Sequence, residues 1–466
     1  MIADIKGCKA ALSHLDIDDN PATVKQKSRD FFWYSPVLKA RMDHLTADFV
    51  VSPRTEDEVA QALAAAFAHD VPVTTRGAGT GNYGQAMPLS GGMILHLKHL
   101  DRVKEVRPGA VVAEAGAILA EIDRATRAQS GQELRLHPST YNTASIGGFV
   151  AGGSGGVGSI RWGGLRDAGN VIRLRLLTCE ASPRTIELTG DDIHKASHAY
   201  GVNGIICEVE VPLAPAYEWV DVIVGFDSWE RANTYAYAMA HQDGVLLKEL
   251  ATIAAPVPHD FFLRHRKHLP RNAHVAVAMV APFALDAFLT VTARDRGATV
   301  LFRSDRDDMA GMPPAFELAW NHTTLRALRV EPTVTYLQVL YGEPTVQHVV
   351  KMQDHFGDEV PGHCEYIRFD GKVRAAGLPL VRYTSEERLE EIIRIHEAEG
   401  CPIFNPHRYT LEEGGMKQSD PAQLAFKRET DPKGLLNPGK MIAWDDPNYD
   451  FTSNQFYLFP GMAAAV

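Results

Sequence analysis

Two glycine-dense stretches constrain this chain more than any other feature: Arg76-Gly-Ala-Gly-Thr-Gly-Asn-Tyr-Gly84 and Ser145-Ile-Gly-Gly-Phe-Val-Ala-Gly-Gly-Ser-Gly-Gly-Val-Gly158. Glycine inside a regular element costs about 0.5–1 kcal/mol of backbone entropy, so this density predicts close approach of backbone to something else. The first stretch follows Val71-Pro-Val-Thr-Thr75, short and β-branched, which predicts a strand running straight into the turn. Its glycines let amide N–H groups converge on an anion, and Arg76 adds charge. No Gly-Lys-Ser/Thr follows, which excludes a Walker loop. Pro88, Gly91 and Gly92 interrupt the helix that a Rossmann fingerprint would open. One such turn is more often only a turn. Two, separated by short strands, predict an extended ligand lying along a sheet.

The chain has 466 residues, beyond the roughly 250–300 at which one hydrophobic core stops growing, and two domains are expected. Hydrophobic residues at 45% and charged residues at 23% predict a folded protein throughout. A net charge of −11 argues against a nucleic-acid partner. No run approaches the ~18 apolar residues of a transmembrane segment, and the stretch 1–30 lacks the apolar centre of a secretory signal, so a cytoplasmic protein is expected. The five cysteines are scattered and free of C-x-x-C spacing, predicting reduced thiols and no disulfide framework. Thr55 and the acids after it predict a capped helix to His69; further strands are expected at 92–97, 103–106, 111–115, 171–178 and 205–211. Helices 229–241 and 385–399 then alternate with strands 334–341 and 365–369, and a last helix beginning at Phe426 stops at proline and glycine.

In order, the chain shows a strand, Arg-Gly-x-Gly-Thr-Gly, Ile-Gly-Gly about seventy residues on, Gly-Val-Asn-Gly-Ile-Ile, and Asp-Pro-x-Gly-Leu-Leu-Asn-Pro-Gly-Lys. This order resembles the FAD-linked oxidases and dehydrogenases of the vanillyl-alcohol oxidase and para-cresol methylhydroxylase type, nearest the glycolate oxidase and D-lactate dehydrogenase branch. The resemblance covers 45–215 and 426–440. It implies an α+β fold: an N-terminal helical segment 1–44, a two-subdomain FAD-binding domain 45–215, a central substrate (cap) domain 216–425, and a segment 426–466 returning to the FAD domain. It implies FAD, with Arg76, Gly77, Ala78, Gly79, Thr80, Gly81 and Asn82 on the pyrophosphate. Pro138, Ser139, Ser145, Gly147 and Gly148 would lie along the isoalloxazine and ribityl chain, and Gly204, Ile205 and Ile206 near the adenine. Thr80 stands where some members carry a flavin-linked histidine, so non-covalent FAD is expected, with a bond through the cap domain left open. The branch's His-x-Gly-Asp-Gly-Asn sequence is missing, and no metal is expected.

Oxidation of a CH–OH group needs a base for the hydroxyl proton, and a cation if the substrate is a carboxylate. His322 in Trp320-Asn-His-Thr-Thr324 and His407 in Asn405-Pro-His-Arg-Tyr409 are the candidate bases, although a lone histidine is more often packing. Period two on strand 333–340 places Tyr336 with Gln338 toward the flavin, with Tyr336 polarising the hydroxyl. Glu365 or Arg368 on the next strand, and Asn405 or Arg408 beside His407, are the candidate substrate contacts. A small substrate such as a 2-hydroxy acid is expected. Aromatic or sugar alcohols, the FAD subunit of a multi-component glycolate-oxidase-like complex, and a cofactor-binding protein without turnover are the alternatives. The acceptor (oxygen, quinone or cytochrome), partner subunits and a homodimer stay open.

Overall fold

Thr55 accepts from Glu58 N and starts helix Glu56–Ala68, whose first turn carries Glu56, Asp57 and Glu58 on the positive end of the helix dipole. This helix backs a four-stranded sheet ordered Ile17–Asp18, Phe49–Val51, Met93–His96, Val73–Arg76. The last three strands run parallel and are buried. The computed structural model describes residues 3–153, 155–453 and 457–458. Ser154 of the second glycine stretch, and 1–2, 454–456 and 459–466 of the terminal segments, lie outside the described residues. Residues expected as a separate N-terminal segment share this core: Ile17–Asp18 pairs with Phe49–Val51, and Cys8 and Leu12 pack in the same hydrophobic cluster as Phe49 and Val73.

A second, antiparallel sheet follows, ordered Val103–Arg107, Ala110–Glu114, Ile205–Pro215, Arg173–Leu177, Thr185–Thr189, with Gln132–Leu134 on the far end of Ile205–Pro215. The third sheet has seven strands, ordered Thr299–Arg303, Val220–Phe226, His274–Val280, Leu247–Ile253, His363–Phe369, Lys372–Gly377, Val339–Leu340. Helices Trp229–Ala240, Leu285–Arg294, Thr345–Phe356 and Glu386–Ala398 bury their apolar stripes against one face of it, through Ala236, Phe288, Val349 and Leu389. Its other face packs on helix Asn321–Leu328 through Ala327 and on Val157 of the second glycine stretch. A buried ion pair, Lys248 Nζ to Glu133 Oε1 at 2.7 Å, ties this sheet to the second one. No helix among the described residues is long and apolar enough to cross a membrane.

Two expectations are corrected. The strand read across 333–340 is two strands: Val334–Tyr336 pairs with Leu380–Arg382, and Val339–Leu340 pairs with Lys372–Gly377. The chain changes partner at Leu337 and Gln338, so the period-two alternation does not carry through. The last helix begins at Pro421, because Asp420 accepts from Gln423 N and proline suits the first helical position. Beyond it Asp431 accepts from Leu435 N and Leu436 N, and Leu436 bridges Val73 in parallel, so the C-terminal segment adds an edge beside the first glycine turn.

Candidate active site

The turn after strand Val73–Arg76 stands at the C-terminal end of a parallel strand, where open sheets of this kind bind ligands. It is held from three parts of the chain. Phe31 N donates to Gly81 O at 2.7 Å, Asp30 accepts from Phe32 N and Ala86 N, and Lys440 Nζ donates to Gly84 O. Asn437 Nδ2 donates to both Gln85 O and Tyr200 O. Asp30 and Lys440 share this interior: burial raises the Asp30 carboxyl and brings the Lys440 ammonium down. Among the described residues no amide from Gly77 to Asn82 donates to a protein acceptor. Residues Gly77 to Asn82 line one wall of a cleft that is partly open to solvent.

The opposite wall comes from the second glycine stretch. Ser145 starts helix Ile146–Gly152 without capping it by its side chain, and its Oγ is buried without a hydrogen-bond partner, as is Thr75 Oγ1; both residues line the cleft. A Cβ on Gly77 would lie 2.1 Å from Ser145 Oγ, and one on Gly147 2.5 Å from Ala115 Cβ. Gly148 and Gly152 share a helix face by their i, i+4 spacing. A Cβ on Gly152 meets no protein atom within 4 Å, although the residue lines the cleft, so a side chain there would stand in the ligand's space. Unclaimed amides, orphaned hydroxyls and a shaved helix face fit an elongated dinucleotide carrying a diphosphate. Gly77 to Asn82, Pro138, Ser139, Ser145, Gly147, Gly148, Gly204, Ile205 and Ile206 all line this cleft.

Arg76 does not. Its guanidinium donates to the carbonyls of Lys27 (3.0 Å), Arg29 (2.5 Å) and Ala78 (3.2 Å), so it braces the turn from behind. The guanidinium packs where only glycine fits: Gly79 has φ 72°, and a Cβ there would sit 2.2 Å from Arg76 Cζ.

On the cap side the structure brings His322, Gln338 and Arg368 to the cleft. Burial, with Arg326 and Arg329 four and seven residues further along, pulls the His322 imidazole down to about 4, so it is neutral near pH 7. Arg368 has no ion-pair partner among the described residues. Tyr336 stands behind the cleft, fully buried and within electrostatic reach of the Asn321 amide. Glu365 is also fully buried and is bonded to Trp320 N and His363. His407, Asn405 and Arg408 lie off the cleft as well. Asn405 Oδ1 accepts from His407 N, Arg408 is paired with Glu390, and both His407 ring nitrogens have protein partners.

Three cleft residues escaped the sequence reading. Trp320 carries φ 51°, rare for a non-glycine, and its ring lies over Gly155. Phe404 enters the cleft beside the expected His407 cluster. Arg166 stacks on Phe369 at 4.5 Å and pairs with Asp370, joining the two walls. The Arg161-Trp-Gly-Gly-Leu-Arg-Asp run was a signal for Arg166; nothing local marks the other two.

Known proteins similar to this chain include FAD-linked ones. A family model described as FAD binding domain matches residues 47–186. The glycolate oxidase subunit GlcD of Bacillus subtilis is 30% identical over 439 residues, covering 85% of this chain and 89% of that protein. An uncharacterized FAD-linked oxidoreductase of Mycobacterium tuberculosis is 34% identical over 170 residues; the match covers 36% of this chain and spans 35% of that relative's length. A solved structure of alkyldihydroxyacetonephosphate synthase superposes with a TM-score of 0.69 over 91% of this chain and 82% of its own, at 14% identity, and shows the same fold.

Proposed function

The chain belongs to the FAD-linked oxidase family of vanillyl-alcohol oxidase type, with FAD as its cofactor, and from that premise we propose that it oxidises the CH–OH group of a small 2-hydroxy acid. The observation that carries this reading is the meeting, in one cleft, of the unclaimed amides 77–82 with a neutral imidazole and a guanidinium from the cap side. FAD, when bound, would supply the acceptor for the hydride of the carbinol carbon. His322 takes the hydroxyl proton on its imidazole, which burial keeps in the basic form. Arg368 holds the substrate carboxylate, and Gln338 offers an amide to its polar atoms. Asn321, backed by Tyr336, faces the hydroxyl. Gly77–Asn82 hold the diphosphate, Pro138, Ser139, Ser145, Gly147 and Gly148 the ribityl and ring portion, and Gly204–Ile206 the adenine. Thr80 offers no nucleophile of the histidine kind, which supports non-covalent FAD.

We take 45–215 with 426–440 as the FAD-binding unit and 216–425 as the cap. The full-length kinship with a glycolate oxidase subunit supports a multi-component assembly with partner subunits. Five free, buried thiols support a cytoplasmic site of action.

The test is an anaerobic titration of the FAD-loaded protein with 2-hydroxy acids, aromatic alcohols and sugars, following flavin absorbance. Bleaching by a 2-hydroxy acid is expected. Bleaching by neutral alcohols alone would overturn the carboxylate reading.

A further inference from the structure

Strands Leu247–Ile253 and His363–Phe369 pair with Ala251 opposite Glu365, which sets Glu249 and Glu365 diagonally on one face. Both carboxyl groups are buried, and each lies within the other's electrostatic reach. Glu365 Oε1 accepts from Trp320 N at 2.6 Å, while Glu249 Oε2 accepts from the Trp320 indole Nε1 at 3.0 Å. His363 Nε2 lies 2.7 Å from Glu365 Oε1 on the far side. Trp320 is thus gripped at its backbone and at its side chain by two acids from neighbouring strands. Its backbone has φ 51° and ψ −148°, a region that is strained for a non-glycine residue and persists only when the surroundings enforce it. The indole edge faces Gly155 of the second glycine stretch, 3.3 Å from where a Cβ would be, and the next residue, Asn321, opens the helix that carries His322.

We propose that Glu249 and Glu365 are positioning residues: as one carboxyl pair they clamp Trp320, which closes the substrate space against the glycine wall and aims His322 into the cleft. The role of His322 in this inference rests on the hydroxy-acid reading above; the clamp itself does not. Two buried carboxyl groups set diagonally on one sheet face do not readily both ionise, because like charges close together without water repel strongly. Burial, then the neighbouring Glu365, pushes Glu249 far up, while Glu365 is raised to about 7. His363 is driven down to about 4 by burial and stays neutral. One proton held between the acids lets both still accept from Trp320. Glutamine can supply the same pattern of donor and acceptor at either position, whereas alanine cannot.

The experiment uses FAD-loaded protein labelled with 5-fluorotryptophan, with Trp320→Phe assigning the Trp320 resonance, alongside anaerobic FAD reduction by a 2-hydroxy acid. Glu249→Gln and Glu365→Gln are expected to keep the resonance position and a reduction rate within about three-fold of wild type. Glu249→Ala and Glu365→Ala are expected to move the resonance and slow reduction at least tenfold, with FAD affinity unchanged. An unmoved resonance, an unchanged rate in the alanine variants, or glutamine variants as impaired as alanine ones would overturn the proposal. If the alanine variants do not fold, Trp320→Phe removes the indole donor together with the ring edge that reaches Gly155; a tenfold slower reduction supports the clamp and an unchanged rate overturns it. If no hydroxy acid reduces wild-type FAD, the functional reading fails and the fluorine resonance alone decides the clamp.

Discussion

The Nδ1 of His407 lies 2.7 Å from Ser35 Oγ, and its Nε2 lies 3.1 Å from the carbonyl of Tyr336. A carbonyl only accepts, so Nε2 carries the proton and Nδ1 accepts from the serine hydroxyl. The ring therefore joins the cap of helix Pro36–Met42 to strand Val334–Tyr336. His407→Ala is expected to destabilise the protein by about 1–3 kcal/mol through stranded buried partners, while the rate of FAD reduction per bound FAD stays within about two-fold. The imidazole falls from its usual 6.5 to about 3, chiefly by burial. Between those values the folded state binds fewer protons than the unfolded one, so this contribution is full above pH 6.5 and declines as pH falls toward 3. Thermal melts of the variant should show a shallower loss of Tm between pH 6.5 and 4 than wild type.

His322 carries the opposite expectation. His322→Ala should slow anaerobic FAD reduction by about 10²–10⁴-fold, the usual scale for a positioned base, without altering FAD affinity. Because burial brings this imidazole down to about 4, the base form is complete above that value. Stopped-flow rates should stay level from pH 8 down to about 5.5. A rate that falls with a midpoint near 6.5 would assign the proton to another group.

Gly152→Leu tests the cofactor wall. The residue ends a helix, its φ is ordinary, and a Cβ meets no protein atom within 4 Å. Replacing glycine within a helix gains up to about 1 kcal/mol in propensity, so the cofactor-free protein should melt no lower than wild type. Flavin fluorescence titration should show FAD binding weakened at least a hundredfold. Unchanged affinity would remove the helix face 148–152 from the site.

Arg368 distinguishes substrate classes. A charge-assisted hydrogen bond contributes about 1.5–3 kcal/mol, so Arg368→Ala should raise KM for a hydroxy acid about 10–100-fold. A neutral alcohol, if oxidised at all, should be unaffected. Steady-state kinetics on both substrates separate a carboxylate contact from a general loss of fold.

The glycine turns, the capped helices and the C-terminal return were legible because each depends on short-range chemistry: Thr55 before its acids, proline after Asp420, glycine where φ is positive at Gly79. The cap side was not. Tyr336 and Gln338 part company because the chain changes partner strand between them, and the ring nitrogens of His407 meet Ser35 and the Tyr336 carbonyl, which no local pattern announces. Trp320 owes its conformation to Glu249 and Glu365, which meet only through the pairing of strands more than a hundred residues apart in sequence. Arg76 has the right charge for a diphosphate, but carbonyls from the segment before it claim the guanidinium first.

Asn437 reaches Gln85 across 352 residues of chain, and Lys440 reaches Gly84 across 356. A ribosome has therefore to finish the whole intervening cap before the first glycine turn acquires its last brace. Until then the strand Val73–Arg76, paired on one side with Met93–His96, has its outer edge uncovered by Leu436.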